Sequence, residues 1–274
     1  MNEALEAAKH KAQKTYNSAA DSFDAAPLAF WARYGRSTVE RAALPAGARV
    51  LDACCGTGAS ALPAARAVGS SGSVIAVDLA EDLLALGRAK ARAEGLQGLE
   101  FRRGDMTSLG FRDGEFDAVL CVFGIFFVPD MEAQVAELWR MIRPGGRLAI
   151  TTWGPDIWAP AYAVWQAAVR RVRPDLSSAF NPWDRITTPD AVRRLLADAG
   201  VAGADVAAEE GWQDLQRPED FWTIALGSGL RWTIDQMGAG AAAGVRREIV
   251  DALTAGRVTR VATNVIYALA RKSA

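Results

Sequence analysis

The chain has 274 residues, half of them hydrophobic and 23% charged, enough for a buried core beneath a polar surface. Its 31 basic residues are balanced by 32 acidic ones, so net charge draws it neither to nucleic acid nor to an anionic lipid surface. No run approaches the roughly 20 apolar residues that span a bilayer, and Met1 to Lys14 lacks the apolar centre of a signal peptide.

Three cysteines, two of them adjacent at Cys54 and Cys55, make neither a disulfide framework nor a spaced metal site. A reducing, cytoplasmic compartment without a bound metal is the expectation.

About 45 residues of helix come first, carrying the aromatic set Tyr16, Phe23, Phe30, Trp31 and Tyr34. From Arg49 to Thr152 short apolar runs alternate with helical patterns. Strands are predicted at 49–52, 73–77, 99–102, 116–121 and 147–151, and helices at 59–68, 81–94 and 131–141. Parallel neighbours need such crossovers, and the order βαβαβ marks a doubly wound sheet. Beyond residue 150 lie seven of the nine tryptophans, with helices predicted at 161–172 and, after Thr188-Pro189-Asp190, at 191–199. The stretch 238–244, all Gly and Ala, reads as loop or weak helix. An apolar run over 264–270 reads as a last strand.

The segment from Val50 to Ala59 (VLDACCGTGA) carries the most chemistry. An apolar strand ends at Asp52, turns through Gly56 and Gly58, and enters a helix. Glycine lets backbone approach a ligand closely, and the free N–H groups of a helix start suit an anionic end such as a carboxylate. A tight turn with no ligand is the plain alternative. Asp78, closing the second strand, is placed to accept both hydroxyls of a ribose, or to cap the helix near Glu81. Asp105, after the third strand, is placed to accept from the exocyclic amine of adenine with Met106 over the ring, or to serve a turn. Gly56-Thr57-Gly58-Ala59-Ser60-Ala61 also satisfies a loose dinucleotide pattern, so an NAD(P)-dependent oxidoreductase is the rival. Asp52 beside the loop opposes a pyrophosphate and favours a sulfonium or ammonium.

Taken with Val77-Asp78-Leu79, Gly104-Asp105-Met106, Phe116-Asp117-Ala118-Val119 and the run from Leu138 to Leu148 (LWRMIRPGGRL), this segment resembles the class I S-adenosylmethionine-dependent methyltransferases. The likeness is strongest to the ubiquinone/menaquinone C-methyltransferase group and covers about residues 45–152. It implies a doubly wound, mostly parallel seven-stranded α/β sheet with N-terminal helices and a helical insertion before the last strand. It divides the chain into a lid (1–45), a cofactor-binding core (46–152) and a cap with the final strands (153–274). By the same resemblance, S-adenosylmethionine would be held through its methionine part by the loop that includes Asp52, Ala53, Cys54, Gly56 and Gly58. Asp78 and Leu79 would hold the ribose, Asp105 and Met106 the adenine, and Cys121 would lie beside the methionine tail. Phe126 or Phe127 would lie near the methyl. Cys54 stands where the family often has Gly or Ala, and a positive φ there would be strained.

Methyl transfer needs alignment and exclusion of water, and a base only when the attacking atom carries a proton to lose. No clear base emerges; Tyr16 and Tyr34 are the catalytic candidates if the first helices fold over the site. Tyr16, Trp31, Phe123, Phe126, Trp153 and Trp158 are the candidates for contact with a small-molecule acceptor that is aromatic, lipophilic or an amine. A non-catalytic cofactor-binding protein is the further alternative, and neither acceptor atom nor oligomeric state is legible.

Overall fold

The computed structural model describes residues 2–177 and 181–273. Strands β1 (Arg49–Ala53), β2 (Ser73–Asp78), β3 (Leu99–Arg103), β4 (Phe116–Val122) and β5 (Ile142–Trp153) are parallel. The inner ones are covered on both faces, which is why Val74 to Val77 and Ala118 to Val122 are unbroken apolar runs. At the β3 edge only Phe101 is buried, and its neighbours are Glu100 and Arg102. Beyond β5, β9 (Val265–Arg271) runs antiparallel between β5 and β6 (Asp205–Glu209), giving the order β3-β2-β1-β4-β5-β9-β6. This is the doubly wound, mostly parallel seven-stranded sheet expected. A separate ribbon pairs β7 (Trp212–Asp214) with β8 (Arg260–Ala262).

Helices α1 (Asn2–Ala19), α2 (Phe30–Ala42), α3 (Ala61–Val68), α4 (Glu81–Ala93) and α5 (Met131–Arg140) precede β5. After it come α6 (Ala161–Val172), α7 (Pro189–Asp198), α8 (Asp220–Leu226), α9 (Arg231–Met237) and α10 (Ala239–Ala255). Thr188 caps α7 by accepting from the Ala191 N–H, with Pro189 in the first turn, as its sequence predicts. Several boundaries differ from expectation, α7 among them, which begins two residues early at Pro189. The 238–244 stretch belongs to α10, because Val245, Ile249 and Leu253 repeat every four residues and bury one face that carries the weak Gly/Ala start. β5 begins before Pro144-Gly145-Gly146, since Ile142 already pairs with Phe116 and the ladder absorbs the glycines as an irregularity. α3 starts two residues late because the glycine turn runs through Ser60.

The strand order reverses between β1 and β4, opening a crevice at their carboxyl ends. Helix α2 closes over the loop after β1. A Cβ on Gly35 would come within 2.3 Å of the Ala59 carbonyl oxygen, so only glycine permits this approach.

Candidate functional site

The crevice holds a cavity of about 980 Å³, counting its open mouth. Its floor is the loop after β1. There the Cys55 N–H donates to the Val77 carbonyl, and the Gly56 N–H donates to Asp78 Oδ2 at 2.9 Å. Asp78 Oδ1 accepts from the Ala80 N–H at the start of α4, also at 2.9 Å. The carboxylate therefore clamps two loops, yet each oxygen keeps a second lone pair. Burial pushes its pKa above the usual range, offset in part by these N–H donors.

Asp52 lies under the loop, fully buried, with Oδ2 accepting from Ser60 Oγ at 2.7 Å and Oδ1 without a partner. Burial pushes its carboxyl up to about 7, against the Ser60 hydrogen bond. Asp105, at the far end, accepts from the Thr107 N–H and hydroxyl and from Lys9 Nζ at 2.7 Å. Burial opposes its charge, but Lys9 and Thr107 prevail and hold it below the usual carboxylate range.

Of the residues singled out from sequence for the cofactor, Cys54, Gly56, Asp78, Leu79, Asp105 and Met106 line this cavity. Asp52, Ala53, Gly58 and Cys121 do not. Ala53 and Cys121 are register partners inside the sheet, and a Cβ on Gly58 would lie 2.9 Å from the Phe101 ring, so that glycine serves packing. Cys54 has φ +63°, the strained conformation its position raised as a concern. Its thiol donates to Met106 Sδ at 3.3 Å, and Cys121 together with burial keeps it protonated.

Of the acceptor candidates, Tyr16, Trp31 and Phe123 line the cavity. Trp153 is buried behind Phe123, stacked on it at 4.1 Å; Trp158 packs against Trp153; Phe126 packs between Phe127 and Trp183. These three support the wall from behind. Tyr34, the other catalytic candidate, does not line the cavity. Its buried hydroxyl donates to the Thr263 carbonyl at 2.6 Å and accepts from Arg33, away from the cavity. Tyr16 remains in the wall, and burial pushes its phenol above the usual range, so the hydroxyl stays protonated.

Lys9, Phe23, Gly104 and Phe127 also line the cavity. Lys9 left no signal in a lysine-rich helix start, whereas Phe23 belongs to the first aromatic set. Among the contacts that hold the N-terminal residues to the core are Lys9 to Asp105 and Thr57 Oγ1 donating to Asp24 at 2.8 Å.

The site fits the donor expected from the resemblance. Asp78 offers acceptors at the glycine loop, and Phe23, Trp31 and Phe123 supply ring faces. S-adenosylmethionine brings matching groups: an ammonium, ribose hydroxyls, an adenine amine and a sulfonium. A pyrophosphate would meet Asp78 and find only Lys9, already paired, as a lining cation. Among the described residues no group of three His, Cys, Asp or Glu side chains is arranged to hold a metal ion, and no helix is long and apolar enough to cross a membrane.

A family profile described as a methyltransferase domain matches residues 50–146. An uncharacterized protein of Mycobacterium tuberculosis is 35% identical over 176 residues, 63% of this chain and 60% of that protein, so the match spans less than two thirds of that relative. The demethylmenaquinone methyltransferase of Lactococcus lactis is 31% identical over 178 residues, covering 63% of this chain and 70% of the relative. The solved structure of the YcgJ protein from Bacillus subtilis shares the fold with a TM-score of 0.60 at 17% identity, over 88% of this chain and 99% of its own.

Proposed function

This chain belongs to the class I S-adenosylmethionine-dependent methyltransferases related to demethylmenaquinone methyltransferase, and from that premise we propose that it transfers a methyl group from S-adenosylmethionine to a small-molecule acceptor. The observation that carries this reading is Asp78, whose two oxygens fix the glycine loop and α4 while facing the cavity with acceptor capacity to spare.

When bound, S-adenosylmethionine supplies an electrophilic methyl on positively charged sulfur. The chain's residues do the rest by placement. Asp78 takes the ribose hydroxyls, Asp105 and Met106 frame the adenine, and the loop around Gly56 receives the amino-acid end. Phe23, Trp31 and Phe123 exclude water and present ring faces suited to a cation. Holding acceptor and methyl in line lowers the barrier by several kcal/mol, of the order available from orientation. Tyr16, protonated, donates a hydrogen bond or shields the reacting atoms. Residues 1–45 act as lid, 46–152 as donor-binding core and 153–274 as cap. Three unpaired thiols support a reducing, cytoplasmic setting.

Calorimetric titration tests the donor assignment. S-adenosylmethionine should bind and NADH should not, and Asp78→Ala should abolish binding while the variant keeps its circular dichroism spectrum. A folded Asp78→Ala protein with parental affinity would remove the ribose assignment. Product S-adenosylhomocysteine formed only when an acceptor is present separates an enzyme from a protein that merely binds the donor.

A further inference from the structure

Helix α1 brings Lys9, Ala12, Gln13 and Tyr16 to the donor cavity, positions three and four residues apart and therefore on one helix face. Lys9 stands at the Asp105 end. Among the described lining residues it alone carries a positive charge.

The Lys9–Asp105 pair keeps one donor and one acceptor side by side. The Lys9 ammonium has three hydrogens. One goes to Glu6 Oε1 at 2.9 Å and one to Asp105 Oδ2 at 2.7 Å. The Asp105 carboxylate offers about four lone-pair positions. The Thr107 N–H and hydroxyl both fall on Oδ1, each at 2.8 Å, and Lys9 takes one position on Oδ2. Among the described residues nothing else takes the third ammonium hydrogen or the second position on Oδ2. Both belong to side chains that line the cavity. The neighbouring backbone is fixed, because the buried Gln134 amide donates to the Met106 carbonyl at 2.8 Å.

Adenine carries the complementary pattern. Its amine donates, and the ring nitrogens on either side of that amine, N1 and N7, accept and bear no hydrogen. Resting on the methyltransferase reading above, in which Asp105 takes the adenine amine, we propose that Lys9 reads the same purine. Its remaining ammonium hydrogen donates to the ring nitrogen beside the amine, so lid and core recognise one edge of the base together. Lys9 is a specificity-determining residue for the donor, and α1 takes part in choosing what it covers.

Calorimetric titrations of the full chain test this with S-adenosylhomocysteine and its 1-deaza, 3-deaza and 7-deaza analogues, each with C–H in place of one ring nitrogen. In the parent, the 1-deaza or the 7-deaza analogue should bind about five- to tenfold more weakly than S-adenosylhomocysteine, the scale of one hydrogen bond from a charged donor. Lys9→Met should weaken S-adenosylhomocysteine by a similar factor and abolish the discrimination against that analogue. The 3-deaza analogue, altered on the far side of the ring from the amine, should keep the same affinity ratio to S-adenosylhomocysteine in parent and variant. A lysine that merely props α1 would weaken all four ligands by a common factor, and that outcome would overturn the proposal. So would parental affinity of both the 1-deaza and 7-deaza analogues for the unmodified chain, a result that needs no variant. Failure of S-adenosylhomocysteine itself to bind the parent would instead bring down the donor reading on which the proposal rests.

Discussion

Lys9 Nζ sits 2.7 Å from Asp105 Oδ2, so a single ion pair joins the first helix to the loop that follows β3. The pair is only partly shielded, with 16% and 25% of the side chains exposed, and its worth is under about 1 kcal/mol. It nonetheless spans the lid and the donor cavity. The rest of α1 keeps a second anchor where Asn17 Oδ1 accepts from the Asp82 N–H.

Lys9→Gln should therefore loosen the start of α1 without releasing its end. Trypsin cleavage after Lys11 or Lys14 should quicken by up to about fivefold, the factor that 1 kcal/mol sets, and KM for the donor should rise more than kcat falls. Asp105 has a depressed folded pKa, so its contribution is present above the unfolded value and is lost as pH falls through the folded one. In the parent the same loosening should then appear only in acid, below about pH 4. Identical proteolysis of parent and variant at pH 7 would show that the pair holds nothing.

Asp52 predicts a stability change of opposite sign. Its carboxyl is raised by burial to about 7 in the folded chain, while the unfolded value lies near 3.9. Between those values the unfolded chain loses the proton that the folded chain keeps, so stability falls as pH rises from about 4 to 7 and levels off above. Asp52→Asn keeps an acceptor for Ser60 and removes the titration. The variant should gain on the parent by up to about 1.4 kcal/mol per pH unit across that window, read as the difference between two urea-midpoint profiles. Parallel profiles from pH 4 to 8 would mean that Asp52 is ionised throughout.

Most of the sheet was legible because buried parallel strands are continuous apolar runs and their crossovers have a helical period. β6 was not, since Val206 is its one buried residue and an edge strand between Ala and Glu carries no pattern. The donor cavity was legible where chemistry coincides with strand ends, as at Gly56, Asp78 and Asp105. Gly58 and Cys121 lie outside the cavity lining, since proximity in sequence to the loop, or in the sheet to β1, does not say on which side a residue faces. A second cavity, bordered by Thr15, Trp165, Asn181 and Trp232 among others, is assembled from α1, α6, the segment around Asn181 and α9, pieces brought together only by the tertiary fold.

The strained turn at Cys54 and the tight packing at Gly124 form one unit. A Cβ on Gly124 would fall 2.6 Å from Cys54 Cβ and 2.9 Å from the sulfurs of both Cys54 and Cys121. Gly124→Ala should cost about 1–3 kcal/mol through overpacking. Cys54→Gly should be nearly neutral, since relief of the left-handed conformation is offset by lost contacts and a more flexible unfolded chain. In combination the alanine should become tolerable, with a coupling of about 1–2 kcal/mol in a double-mutant cycle. Additive effects would show that the two residues do not share the space.

Tyr34 is a catalytic candidate whose hydroxyl lies outside the cavity lining, and one variant separates a catalytic role from a structural one. Its hydroxyl donates to the Thr263 carbonyl at 2.6 Å, and the Arg33 guanidinium donates to both the Tyr34 oxygen and Thr263 Oγ1 at 2.9 Å. This buried network pins α2 to the turn between β8 and β9. Tyr34→Phe keeps the ring, which packs edge-on against Phe123 at 6.0 Å, and removes only the hydroxyl. Thr263 then loses a donor and Arg33 an acceptor in a dry setting, at a cost of about 1–3 kcal/mol. For a chain of this size that corresponds to a Tm lower by roughly 2–12 °C. Because Phe123 still faces the donor cavity, turnover per folded molecule should stay within about twofold of the parent, a change worth less than 0.5 kcal/mol at roughly 1.4 kcal/mol per tenfold in rate. A tenfold fall in kcat at unchanged Tm would instead place the hydroxyl among the reacting groups.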